Sequence, residues 1–171
     1  MSSNPYKRTS VNDAVSTPRC FYNDLDAHFA FDFDPAPRGG TVDGLAPETA
    51  WGESNFINPP FSDIEPWLKR AVESGKQCVF VLPLRSNSRY WRRYVYPNLA
   101  CMYLLSESVQ FIGYDRGWAT PVVVVVLHAR DGRTPDIASI GGIPVVKLVP
   151  VSGDDAPGAA EPPLGTKRAR V

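Results

Sequence analysis

"SNFINPPFSDIEPWLKRAVESGKQCVFVLPL", residues 54–84, carries the alternation that decides the fold. "SNFINPP" (54–60) reads as a strand running into a double proline. "SDIEPWLKRAVESG" (62–75) reads as a helix, with Ser62 and Glu65 at capping-box spacing and Gly75 at the expected stop. Pro66 fits only a first turn, which moves the expected start toward Glu65. "QCVFVLPL" (77–84) is then a continuous apolar strand, the pattern of a parallel sheet covered on both faces. Strand, helix and strand in that order predict an α/β domain.

The same alternation extends outward. "RCFYNDLDAHF" (19–29) spaces Phe21, Leu25, His28 and Phe29 along one helical face. "AFDFDP" (30–35) and "TVDGL" (41–45) read as short strands ended by a proline and by a D-G turn. Downstream, "SNSRYWRRYVYP" (86–97) predicts a helix opened by Ser86 or Asn87 and closed by Pro97. "ACMYLL" (100–105), "ATPVVVVVLHA" (119–129) and "IPVVKLVP" (143–150) predict strands, and the five valines at 122–126 predict a core strand. Helices separate the early strands but not the late ones. The expectation is a mostly parallel central sheet with helices on both faces and an antiparallel hairpin at one edge.

One domain is expected over residues 16–150. Residues 1–15 are polar and aperiodic, and 151–171 are rich in Pro, Ala and Gly without aromatic residues, so both ends are expected to be disordered. Lys167, Arg168 and Arg170 make the tail's end basic.

Of 171 residues, 18 are Lys or Arg and 18 are Asp or Glu, so the net charge is zero. That excludes a protein that coats nucleic acid by bulk charge and leaves only a local patch for such contact. Three cysteines without a C-x-x-C, two of them in apolar runs (Cys78 and Cys101), predict buried thiols. With only two histidines a histidine-rich metal site cannot be built, and no metal is expected. No hydrophobic N-terminal segment is present, and "PVVVVVLHA" is too short to span a bilayer, so an intracellular, soluble protein is expected.

Asn58-Pro59-Pro60-Phe61 admits two readings. Pro-Pro after a strand is ordinary loop punctuation, and Asn before Pro initiates turns. The carboxyl end of a strand in an open α/β sheet is also where ligands bind. The residue types suit methylation of a planar amino group. The Asn58 amide oxygen and the Pro59 carbonyl can each accept one N–H, concentrating the nitrogen lone pair toward a methyl donor. Pro60 locks the loop, since its ring fixes φ and offers no donor. Phe61 offers a face on which a flipped purine could stack. Arg85, Arg89, Arg92 and Arg93, interleaved with Tyr90, Trp91 and Tyr94, combine phosphate-binding and base-stacking groups. They equally fit an amphipathic helix with a solvated basic face.

"NPPF" resembles the catalytic motif of S-adenosylmethionine-dependent amino-methyltransferases. "TPRCFYNDLDAHFAFDFDPAP", "DGLAPETAWGESNFINPPFSDIEPWLKRAVESG", "VFVLPLRSNSRYW" and "VQFIGY" together resemble the small phage-type Dam family of DNA adenine-N6 methyltransferases, over roughly residues 17–128. The resemblance implies a Rossmann-like methyltransferase fold, S-adenosylmethionine as methyl donor, DNA as partner and a phage or viral origin. It implies that the protein acts in a host cytoplasm or nucleus. It implies Asn58, Pro59, Pro60 and Phe61 as catalytic and target-base residues. Asp34 would meet the ammonium of the donor's amino-acid end, Asp43 its adenosine side, and Thr17 and Pro18 would close over it. Arg85, Ser86, Asn87, Arg89, Tyr90 and Trp91 would meet the DNA. The sequence departs from the family at Ala36-Pro37-Arg38-Gly39-Gly40, which replaces a glycine-rich loop, and at Phe61, where tyrosine is more frequent. The alternatives are an amino-methyltransferase for RNA or a protein glutamine, and a non-catalytic DNA-binding module of the same fold.

Overall fold

The computed structural model describes residues 16–40, 42–113 and 120–151. The disorder expected of 1–15 and of the tail falls, Val151 apart, on residues outside that set, as do Lys167, Arg168 and Arg170. The chain forms an α/β domain around a six-stranded mixed sheet. Its strands are β1 (Ser54–Ile57), β2 (Gln77–Pro83), β3 (Leu99–Leu105), β4 (Val122–Leu127), β5 (Ser139–Ile140) and β6 (Ile143–Leu148). Their spatial order is β1-β2-β4-β3-β6-β5. The helices are α1 (Arg19–Phe29) and α2 (Glu65–Ser74).

β1 and β2 pair in parallel through the α2 crossover, while every later pairing is antiparallel. The sheet is therefore less parallel than its first half predicts. Among the described residues no crossover helix joins the strands after residue 99, and a connection without such a helix ordinarily returns a chain antiparallel. β4 inserts between β2 and β3, which leaves β1, β2 and β3 running in one direction. The expected edge hairpin is β5–β6, with Ser139 opposite Pro144.

Every residue of β1, β2 and β4 is buried, so both faces of the central sheet are covered. α1 contributes Phe21, Leu25 and Phe29 to the core and ends at Ala30 in the left-handed conformation. His28, expected on the same face, is exposed. α2 contributes Trp67, Leu68 and Ala71. It starts at Glu65 with Pro66 in the first turn, as Pro66 requires, and ends at Gly75 with φ 62°. Starting there, it forms no Ser62 capping box: no side chain caps its N-terminus.

Three local expectations change. "AFDFDP" is not a strand; Phe33 alone bridges β1, in parallel opposite Asn55. "TVDGL" is a turn, with Thr41 outside the described residues. The Asp43 carboxylate accepts the Leu45 N–H (3.0 Å) and the Asp43 carbonyl accepts the Thr49 hydroxyl (2.7 Å), so local bonds replace a ladder. Residues 86–97 do not form one α-helix. A π-helical turn, Trp91–Val95, runs into a 3-10 turn, Tyr96–Asn98. Pro97 has no N–H with which to continue a regular ladder.

A polar network closes the amino-terminal end of β1 and β2. Asn55, fully buried, accepts the Gly52 N–H (2.9 Å) and donates to the carbonyls of Gly52 (2.9 Å) and Gln77 (3.1 Å). Gln77 donates to Ser54 Oγ (2.7 Å) and accepts the Arg130 N–H (2.9 Å), and Ser54 donates to the Phe29 carbonyl (2.8 Å). Asp32 accepts the N–H groups of Glu53 and Ser54. It therefore caps the start of β1.

Candidate active site

At the other end of β1 the chain leaves the sheet at Asn58. Its Nδ2 donates to Thr17 Oγ1 (3.0 Å), in the segment that leads into α1. With the nitrogen turned to Thr17, the amide oxygen faces away from it. Pro59 is buried, and among the described residues its carbonyl accepts no backbone hydrogen bond. The Pro60 carbonyl accepts the Asp63 N–H (3.0 Å), which ties the loop to the approach of α2. Phe61 is buried at 4% exposure and meets Phe111 edge-on, with ring centroids 6.0 Å apart.

Asn58 borders two clefts. The first, about 260 Å³, is lined by Thr17, Tyr22, Asp34, Arg38 and Phe56 together with Asn58. The second, about 340 Å³, is lined by Arg38, Val42, Asp43, Pro60 and Trp67 together with Asn58. Arg38 and Asn58 belong to both, so the two clefts meet at these side chains. Phe33 runs parallel to β1, so Asp34 and Asn58 leave neighbouring parallel segments at their carboxyl ends, where α/β sheets hold ligands.

Arg19 and Arg38 line the first cleft with Asp34, but among the described residues none of its charges is paired across it. Asp34 accepts the Ala36 N–H (2.9 Å), but no Lys, Arg or His among the described residues pairs with it. Burial pushes its carboxyl above the usual range, and the Ala36 N–H offsets this only in part. Tyr22 on the same wall is also pushed up, by burial first and then by the charges of Asp26 and Asp34. Such a site favours a cationic group beside Asp34.

The remaining expected residues fall in different places. Pro18 starts α1, its carbonyl accepting the Tyr22 N–H (3.0 Å), and does not line either cleft. Asp43 lines the second cleft, with one oxygen committed to the Leu45 N–H. Arg85, Ser86, Asn87, Arg89, Tyr90 and Trp91 line neither cleft. Arg89 pairs with Glu65 at the start of α2 (3.4 Å), the Ser86 carbonyl accepts the Tyr96 hydroxyl (2.7 Å), and Ser86 and Asn87 are exposed. Trp91 is fully buried, and among the described residues neither its Nε1 nor the Tyr90 hydroxyl has a partner.

Sequence reasoning passed over Arg38, Arg19, Tyr22 and Asn23, which all line the first cleft. The available signal for Arg38 was its position in the loop that replaces the family's glycine-rich segment. A larger cleft, about 540 Å³, lies at the opposite end of the sheet between Phe29, Gln77 and Arg130–Pro135, away from Asn58.

Among the described residues no group of three or more His, Cys, Asp or Glu is placed to hold a metal ion. No helix among them is long and apolar enough to cross a membrane. Neither a protein-family model nor a curated protein nor a solved structure matches the chain.

Proposed function

We propose that the chain is an S-adenosylmethionine-dependent methyltransferase of Rossmann-like architecture that modifies the N6 amino group of a flipped adenine in DNA. The observation that carries this reading is the Asn58 amide, oriented by Thr17 at the junction of two clefts, with the uncompensated carboxylate of Asp34 on the wall of one. The residues present suit the donor: a carboxylate without a cation for its ammonium, Asp43 on the second wall, and Val42, Pro60 and Trp67 as apolar walls for a nucleoside. When bound, S-adenosylmethionine supplies an electrophilic methyl group. Asn58 and the Pro59 carbonyl accept the two N–H groups of the target amine and direct its lone pair. The Asn58 nitrogen meets Thr17, on the side away from its oxygen. Preorganised acceptors of this kind contribute on the order of a hundredfold or more to rate.

Mass-spectrometric detection of N6-methyladenine in DNA incubated with protein and S-adenosylmethionine tests the reading directly. Asn58→Ala should reduce methyl transfer at least ~100-fold while S-adenosylhomocysteine still binds. Full activity in that variant would remove the loop from the mechanism.

One observation favours a second reading. Phe61 packs against Phe111 and is almost wholly buried, so its face is covered rather than offered to a base. A planar amine that needs no stacking platform, such as a glutamine side chain of a protein, fits the same two acceptors. Tritiated methyl transfer measured separately to DNA, RNA and protein decides between the substrates.

A further inference from the structure

We propose that Arg38 anchors the carboxylate of the methyl donor's amino-acid end, so that Arg38 and Asp34 together read a zwitterion. This rests on the methyltransferase reading above and assigns Arg38 as a binding residue of that site.

Asp34 and Arg38 lie four residues apart and line the same 260 Å³ cleft, yet they form no ion pair with each other. The loop between them holds Pro35 and Pro37, whose rings fix φ and stiffen the separation. Both line one cavity wall without pairing with each other. An α-amino acid carries an ammonium and a carboxylate on a single carbon, which is the complement of that arrangement.

Arg38 is also held ready. Its Nη1 donates to Ser16 Oγ (3.0 Å) and to the Ile112 carbonyl (3.5 Å), two uncharged acceptors. Both contacts fall on one nitrogen, which leaves the Nε–Nη2 edge of the fork without a partner among the described residues. That edge is the one that matches a carboxylate bidentately. Asp34, one of whose oxygens takes the Ala36 N–H, gains a compensating cation only when an ammonium arrives. Arg19 is the competing guanidinium in this cleft, but it is exposed on α1 and makes no hydrogen bond among the described residues that would orient it.

The test compares two ligands by calorimetry. S-adenosylhomocysteine carries the amino-acid end; 5′-methylthioadenosine has the same nucleoside and thioether without it. The wild-type chain should prefer the former. Arg38→Ala and Arg38→Gln should each weaken S-adenosylhomocysteine at least ~10-fold, the scale of a lost charge-assisted hydrogen bond, and leave methylthioadenosine unchanged. Arg38→Gln keeps a donor for Ser16, and circular dichroism on both variants verifies the fold. Equal weakening of both ligands, unchanged affinity for S-adenosylhomocysteine, or a selective loss in Arg19→Ala instead would each overturn the role of Arg38. If the wild-type chain binds neither ligand, the methyltransferase reading falls, and the assignment with it.

Discussion

Two asparagines three residues apart, Asn55 inside β1 and Asn58 just past its carboxyl end, have opposite fates. Asn55 is fully buried and spends its amide on Gly52 and Gln77, inside a network that includes Ser54, Asp32 and the Phe29 carbonyl. Asn58 is half-buried, tied by its nitrogen to Thr17, and borders both clefts. Around Asn55 the polar groups satisfy one another. Around Asn58 the charges of Asp34 and Arg38 are held apart and face a cavity. Identical side chains close a polar network at one end and border two clefts at the other.

The sharpest way to break this comparison is to truncate both. Asn55→Ala removes the side-chain partner of the half-buried Gly52 N–H and carbonyl and one bond to the Gln77 carbonyl at a fully buried position, and should cost about 2–4 kcal/mol in urea unfolding. Asn58→Ala should cost less than Asn55→Ala, because Asn58 is only half-buried, while methyl transfer falls at least ~100-fold. Comparable destabilisation by the two would dissolve the distinction.

Two glycines repeat the contrast. A Cβ at Gly52 would overlap the Asp32 carboxylate that caps β1, and one at Gly44 would overlap the Pro35 carbonyl beside the second cleft. Gly52→Ala should lower stability by about 1–3 kcal/mol, the range of overpacking, with S-adenosylhomocysteine affinity retained in the folded fraction. Gly44→Ala should weaken that affinity as well, since Pro35 and Gly44 both line the cleft. Calorimetry alongside thermal melts separates the two effects.

A smaller effect with a distinctive sign belongs to Asp34. Burial raises its folded-state pKa, so the stability it contributes is present below its unfolded pKa and is lost as pH rises through the folded value. Asp34→Asn should therefore raise the melting temperature at neutral pH, with the gain shrinking below the ordinary aspartate range. The same change should weaken S-adenosylhomocysteine. Wild-type affinity should fall on acidification at a pH above that range, as Asp34 takes up its proton.

The least perturbing test uses a thiol reagent. Cys78, at the closed end, is fully buried and pushed up to about 12 by burial, and Cys101 is also buried and raised. Cys20, next to Arg19 at the open end, is exposed. Native alkylation read by mass spectrometry should modify Cys20 alone; rapid labelling of Cys78 would mean that the network around Asn55 opens.

Much of the fold was legible because it repeats. Phe21, Leu25 and Phe29 set α1 by their spacing, and the runs 77–83 and 122–127 could only be covered strands. β5, two residues long, carries no period to read. The π-helical turn at 91–95 was hidden because Trp91 and Val95 also fit a regular helix. At the site, Asn58 was legible through its prolines, but Arg38 was not, since a charge in a loop has no pattern until Ser16 and Ile112 are brought to it. Aromatic residues misled for a related reason. Phe61 and Trp91 are as suited to packing as to stacking, and the burial that separates the two uses is decided by residues distant in sequence, such as Phe111 for Phe61.

The position of β4 has a bearing on assembly order. β1, α2 and β2 are local in the chain and can form early, but β2 and β3 are joined only through β4, residues 122–127, which lies between them. Both strands therefore present raw edges throughout synthesis of the preceding residues, and the incoming strand is five consecutive valines and a leucine. Closing those long-range pairings late is entropically slow. A chain released before residue 127 would leave β2 with one unpaired edge and β3 with both, and the stretch that completes the sheet is also the one most apt to pair between molecules.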